Sequence, residues 1–332
     1  MSHLAAEPAV VVRPDAATAA AAVAGLLAAA LAAGAARRGR AADASTGGST
    51  PAAVYRALLA EPLRSRVPWE VLHVWLGDDR FVPRGDPDCN MGAIDRVLLA
   101  GDARRGLAAA PLDPARVHPW PTDEALAAGE SPAACAARFE AILRAELPAD
   151  DAGRPVFDAL LVGVGPDGHL LSVFPASDAW DAPGWTTWVP APTHIGPHLD
   201  RVTLTPAALD ATPGLVVAAF GAGKAAILGE LLGPAFADPA ARSSAERRLP
   251  ALRARRAGAT WVLDAAAAAG LAANDPHRAR QAAASSGLSA PAVASPRHQA
   301  TVSASASSSG VGASPKARSN LELSTRNGSS NS

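Results

Sequence analysis

The sequence predicts an α/β fold: a mostly parallel, doubly wound sheet with helices on both faces, in the Rossmann-like manner. Three observations carry this. Apolar runs of strand length alternate with helical patterns as far as about Gly270. The run FDALLVGVG, from Phe157 to Gly165, is apolar at nearly every position, as a parallel strand covered on both faces must be. Glycine-rich turns follow two of the strands, at Gly163–Gly168 and Gly221–Gly223, where open parallel sheets bind their ligands.

Taken in order, Val10–Val12 reads as a strand and Asp15 as the cap of a helix over Ala16–Ala35. That helix is apolar for about one membrane span. It lacks the basic start and Leu-rich middle of a signal peptide, so it is read as a buried core helix. The next segment, GAARRGRAADAS, has no β-branched or aromatic residue and reads as a poor strand. In TGGSTP, Pro51 suits a first helical turn and Ser49 or Thr50 a cap, which starts a helix over Pro51–Leu59. Val71–Leu76 is a strand that ends in Asp78, Asp79 and Arg80. A helix over Pro132–Leu147 precedes the strand Ala159–Val164. The remaining strands are Val202–Thr205, Leu215–Phe220 and Thr260–Leu263, with helices at Lys224–Leu232 and Asp264–Leu271.

The chain has 332 residues, and from about Ala273 it turns to Ser, Ala, Gly and Asn. Such a segment cannot bury a core. The expected organisation is a catalytic domain over residues 1–272 and a disordered tail over 273–332. The net charge is −1, without a basic stripe interleaved with aromatics, so a nucleic-acid partner is not expected. No membrane partner is expected either. Cys89 and Cys135 form neither a disulfide framework nor a zinc spacing, which favours a reducing compartment, the cytoplasm, and no metal or cofactor. Seven tryptophans against one tyrosine is an unusual balance for which composition offers no account.

Four segments carry chemistry. The turn Gly165-Pro-Asp167-Gly-His169 places a carboxylate and an imidazole at a strand's carboxyl end. The loop Gly47-Gly48-Ser49-Thr50 opens a helix, whose free N–H groups and positive dipole end favour an anion such as phosphate. Arg80 is a guanidinium at a strand terminus, suited to a phosphate or an oxyanion. Lys224 sits in a first helical turn, which opposes the dipole unless an anion lies nearby. Each has a plainer meaning: turn chemistry, a helix start, charges leaving a core, an exposed lysine.

Together and in this order the segments resemble the 6-phosphogluconolactonase family. The matching stretches are Thr46–Pro51, Asp78–Pro83 with Asp88–Asn90, Gly163–His169 with Ser172–Pro175, Arg201–Thr205 and Gly221–Lys224. Leu249-Pro250-Ala251 and TWVLDAAAA resemble the family's closing segment, so the likeness spans roughly residues 9 to 270. Thr46, Asp79 and Cys89 stand where the family has Ser, Glu and Ser. The resemblance implies the lactonase/deaminase type of α/β fold. It also implies hydrolysis of 6-phosphoglucono-δ-lactone, the second step of the oxidative pentose phosphate pathway. His169 would then be the base, with Asp167 and Arg80 beside it. Gly47, Gly48, Ser49, Thr50, Lys224 and, more weakly, Arg201 would bind substrate or phosphate. The expected partner is the sugar-phosphate lactone alone, and the expected state a monomer. Two alternatives stay open: a glucosamine-6-phosphate deaminase/isomerase, and a sugar-phosphate-binding protein of weakened activity. That deaminase family has a glutamate soon after the turn's histidine, whereas here no acid follows before Asp178.

Overall fold

The computed structural model describes residues 7–274. Ten strands are present: β1 (Ala9–Arg13), β2 (Ala41–Ser45), β3 (Leu72–Leu76), β4 (Asp78–Arg80), β5 (Val117–His118), β6 (Ala159–Val162), β7 (Thr186–Val189), β8 (Arg201–Leu204), β9 (Gly214–Ala219) and β10 (Ala259–Asp264). Among them run α1 (Ala16–Arg38), α2 (Ser49–Leu59), α3 (Met91–Ala93), α4 (Thr122–Ala127), α5 (Pro132–Glu146), α6 (Pro206–Ala211), α7 (Ala225–Leu231), α8 (Pro239–Ala245) and α9 (Ala265–Asn274). Seven strands form one sheet in the order β1-β10-β9-β6-β2-β3-β5, with every pairing parallel. Strands β2 and β6 are buried at each successive residue. Neighbouring residues of a strand point to opposite faces, so both faces are covered.

Helix α1 is a core helix, as expected. Asp15 Oδ1 accepts from the Thr18 N–H at 2.8 Å, and Gly39, with φ of 68°, ends the helix. It has the length and hydropathy to cross a membrane, yet it lies against β2, β6, β9 and β10. It also runs further than expected, to Arg38, because Arg37 and Arg38 reach the buried Asp158 carboxylate. Five buried tryptophans supply bulk that alanine does not. Four of them donate their indole N–H to backbone carbonyls, those of Arg64, Leu76, Gly153 and Ala254.

Two expectations are corrected. The poor strand before Thr46 is β2, at the centre of the sheet between β3 and β6. Propensity describes how side chains fit a pleated surface. Here two neighbouring strands satisfy the backbone, and small side chains suit a position covered on both faces. Second, Val202–Thr205 does not join the parallel sheet. It is β8, central in a separate antiparallel sheet of order β4-β8-β7. The switch is at Gly77, whose N–H donates to Ser45 O at 2.7 Å while its carbonyl accepts from Leu204 N at 2.8 Å. The charged triplet Asp78-Asp79-Arg80 is thereby a strand of the second sheet rather than a frayed end of the first. The described residues end within α9, at Asn274, so the tail expected over 273–332 lies almost wholly outside them.

Burial of β2 has a consequence for stability. Asp43 has only Ser45 Oγ as a hydrogen-bond partner, at 2.9 Å, and its other oxygen is unpartnered among the described residues. Burial, with the Asp158 charge adding to it, pushes the Asp43 carboxyl up to about 7. The folded state then holds a proton that the unfolded state releases, so stability falls as pH rises between about 4 and 7. Across the last unit of that window the loss is about 1.4 kcal/mol. Asp43→Asn is expected to melt above the wild type at pH 8 and to flatten the decline in Tm between pH 6 and 8. Thermal melts at the two pH values check this, and parallel declines in both proteins would refute it.

Candidate active site

Beyond Val162 the chain leaves β6 and folds into a tight turn. Gly165 N–H donates to His169 O at 2.9 Å, and Gly168 N–H to Gly165 O at 3.1 Å. Gly168 has a φ of 84°, which glycine adopts without penalty. Gly165 is required for another reason: a Cβ there would run into the His169 ring and the Asp167 carboxylate. The turn is anchored from outside by Ala251 N–H to Gly168 O at 2.8 Å. Next to it, Leu171 has a φ of 54°, a strained value for a branched residue, and packs over Gly77.

His169 Nδ1 lies 2.5 Å from Asp167 Oδ1, and the same oxygen accepts the His169 backbone N–H at 3.2 Å. An ionised carboxylate only accepts, so Nδ1 carries the hydrogen and Nε2 is the basic nitrogen. Partial burial acts to raise the Asp167 carboxyl. The His169 hydrogen bond and charge outweigh it, with a further hydrogen bond from His194, and hold the group well below the usual carboxylate range. Asp167 is therefore ionised wherever the enzyme would work. The His169 side chain stays about one-fifth exposed and lies 4.8 Å from the Phe174 ring.

Strand β4 supplies the opposite wall. Asp78 Oδ2 accepts from Ser172 Oγ at 2.7 Å, and its Oδ1 from Thr46 Oγ1 at 3.3 Å, so one carboxylate ties three motifs together. Asp79 Oδ1 accepts the backbone N–H groups of Arg80 and Asn90, each at 2.7 Å, and its Oδ2 the Cys89 thiol at 3.2 Å. Burial pushes the Asp79 carboxyl up to about 6. Gly47 sits flat on Asn90, where a Cβ would collide with its backbone and side chain. The Asn90 amide is fixed in turn by donation to Asp78 O at 2.9 Å.

A cleft of about 390 Å³ opens between these walls. Gly47, Gly48, Thr50, Arg80, His169 and Lys224 line it, so the three anion-favouring segments do converge with the turn. Gly48 is the cap residue of α2 and has no side chain to satisfy that helix's first N–H groups. Lys224 Nζ donates to Val164 O at 2.7 Å, burial lowers its pKa, and the Asp167 charge opposes that. Arg80 donates to the Asp88 carbonyl, and Arg201 to the Pro197 carbonyl at 2.6 Å. Among the described residues none of these three cations has a carboxylate in ion-pair contact.

Arg201 differs from the other expected site residues. It pairs with Arg80 across β4 and β8, is only 3 % exposed, and stands behind the cleft wall. Its Nε has no partner among the described residues, and burial followed by the Arg80 charge lowers its pKa. Four participants are not singled out as site residues by the sequence: Thr46, Asp78, Asn90 and His194. The first three stand inside the matching motifs and are legible there as candidates. His194, in the loop between β7 and β8, carries no signal. Among the described residues no cluster of three or more His, Cys, Asp or Glu is placed to hold a metal ion.

The arrangement places a carboxylate-oriented imidazole, the uncapped start of α2 and cations free of carboxylate partners around one cleft. Comparison with known proteins points the same way. A family model described as glucosamine-6-phosphate isomerases/6-phosphogluconolactonase matches residues 14–261. A 6-phosphogluconolactonase of Streptomyces coelicolor is 34% identical over 241 residues, covering 70% of this chain and 83% of that one. One of Caulobacter vibrioides is 36% identical over 203 residues, covering 60% and 76%. Among solved structures, the 6-phosphogluconolactonase of Trypanosoma brucei matches with a TM-score of 0.63 at 26% identity, over 80% of this chain and 99% of that one. A monomeric glucosamine-6-phosphate deaminase shares the fold, with a TM-score of 0.56 at 17% identity over 78% and 98%. On these matches, the chain belongs to the glucosamine-6-phosphate isomerase/6-phosphogluconolactonase family.

Proposed function

We propose that this protein hydrolyses 6-phosphoglucono-δ-lactone to 6-phosphogluconate. The observation that carries the reading is the Asp167-held imidazole of His169 on the wall of a cleft that also holds Gly47–Thr50, Arg80 and Lys224. The residues that follow His169 support it. Residues 170–177 hold no acid, so none stands there to open a sugar ring.

The steps follow from the groups present. His169 Nε2 takes a proton from water as its oxygen attacks the lactone carbonyl. The resulting imidazolium is stabilised by Asp167, whose carboxylate stays ionised. Negative charge gathers on the carbonyl oxygen, and Arg80, a guanidinium lining the same cleft, is assigned to it. Collapse breaks the bond to the ring oxygen, and His169 returns the proton to that leaving oxygen. The substrate phosphate is held by the backbone N–H groups at Gly48–Thr50 and by Lys224, with Arg201 adding positive charge from behind Arg80. Ser49 is assigned to the same loop through its backbone.

The testing experiment is turnover with freshly made lactone, measured against spontaneous ring opening and alongside calorimetric binding of 6-phosphogluconate. Turnover well above the spontaneous rate is expected. Binding without turnover would leave a sugar-phosphate-binding protein instead. The reading includes a monomer in the cytoplasm, open to test by sedimentation and fractionation, and a catalytic unit that ends with α9. Truncation after Asn274 is accordingly expected to leave kcat and Tm unchanged. A loss of soluble protein or activity would show that the segment beyond it contributes.

A further inference from the structure

We propose that His194 is a positioning residue for the reaction, acting on the base through Asp167. The inference rests on His169 being the base, as proposed above. Asp167 has two oxygens and divides them between two imidazoles. Oδ1 takes His169 Nδ1 at 2.5 Å, and Oδ2 takes His194 Nε2 at 2.8 Å. The carboxylate is thereby fixed at both ends. With only the Oδ1 contact it could rotate about its Cβ–Cγ bond, and the His169 ring would swing with it. Terminal torsions of this sp² kind are broad and hold poorly without a second contact.

The surroundings support a designed contact rather than a chance approach. The Phe174 ring stands 4.8 Å from the His169 ring and meets the His194 ring edge-on at 5.7 Å and 90°. It therefore buttresses both imidazoles. The loop that carries His194 is itself braced. Ala191 N–H donates to Asp200 Oδ1 at 2.9 Å, the His198 ring meets Pro192 O at 2.6 Å, and Arg201 donates to Pro197 O at 2.6 Å. Through Arg201 the loop continues into β8, which is paired with β4 and Arg80. His194 thus joins the second sheet, with its two guanidiniums, to the base on the first.

The contact is also open to water, since the His194 side chain is 48% exposed. Asp167 meets His169 and His194 directly, and its charge is felt by Lys224 before α7.

The test is a double-mutant cycle with lactone turnover as the readout. His194→Ala is expected to lower kcat by roughly 10-fold, the low end for a hydrogen bond to a charged group because the contact is half-exposed, with KM unchanged within about twofold. His194→Gln, whose amide can still donate to Oδ2, should recover most of the loss. In an Asp167→Asn background, His194→Ala should cost nothing further, because the link it acts through is already altered. Unchanged kcat in His194→Ala, or losses that add in the double mutant, would overturn the proposal. Wild-type turnover together with the His169→Asn result tests the lactonase reading separately, so the two failures are distinguishable.

Discussion

His169→Asn is expected to lower kcat for the lactone by about 10²–10⁴-fold, the range for losing a positioned general base, while Tm stays close to the wild type. Asparagine retains a side-chain N–H that can reach Asp167, so the turn keeps its internal hydrogen bond. It has no nitrogen able to take a proton at the position of Nε2. The side chain is partly exposed and belongs to a turn whose shape is set by Gly165, Gly168 and the Ala251 contact, none of which the substitution touches. The loss should therefore be catalytic rather than structural. Single-turnover and steady-state assays with fresh lactone check it, with a melt on the same sample. Turnover at the wild-type rate would show that water is activated elsewhere, and Asp78 and Asp79 would be the next carboxylates to test.

Lys224→Ala and Arg80→Ala are each expected to reduce kcat/KM by roughly 10–150-fold, as follows from about 1.5–3 kcal/mol for a hydrogen bond to a charged group. For Lys224 the loss should fall on substrate capture. It should nearly vanish with a lactone lacking the phosphate, since that substrate never makes the contact. The geometry separates the two residues. Lys224 lies beside the catalytic turn through Val164 O, whereas Arg80 is held by the Asp88 carbonyl on the opposite wall. Arg80 is also the cation proposed to face the developing oxyanion. Part of its loss should persist with the unphosphorylated lactone and appear in kcat. Equal losses on both substrates for Lys224→Ala would remove it from the phosphate site.

Much of the site is legible in the amino-acid sequence. The Gly-Pro-Asp-Gly-His turn, the Gly-Gly-Ser-Thr loop, Arg80 and Lys224 are local patterns in which a glycine, proline or charge is tied to one backbone geometry. The fold brings all of them to one cleft. Helix α1 is equally plain, because Asp15 and Thr18 form a complete cap within four residues. Local propensity misleads at β2. Its five small or polar residues read as unfit for a sheet, and they occupy the centre of one. The motif at Arg201–Thr205 makes Arg201 a weaker candidate for phosphate, and its burial is not legible there. The fold buries it and pairs it with Arg80.

The sequence by itself determined the α/β class, the parallel alternation, the Gly-Pro-Asp-Gly-His turn and the glycine-opened start of α2. These depend on residues near one another in the chain, where sterics, capping and turn preference act directly. Only the tertiary structure decided the rest. It seated β2 between two strands and split off a second, antiparallel sheet at Gly77. It also gave the Asp78 carboxylate to Ser172 and Thr46, and set His194 against Asp167 from 27 residues away. Such pairings join segments whose separation along the chain carries no periodic or local signal. They exist because buried carboxylates must find donors, and the donors available are those the folded sheets bring within reach.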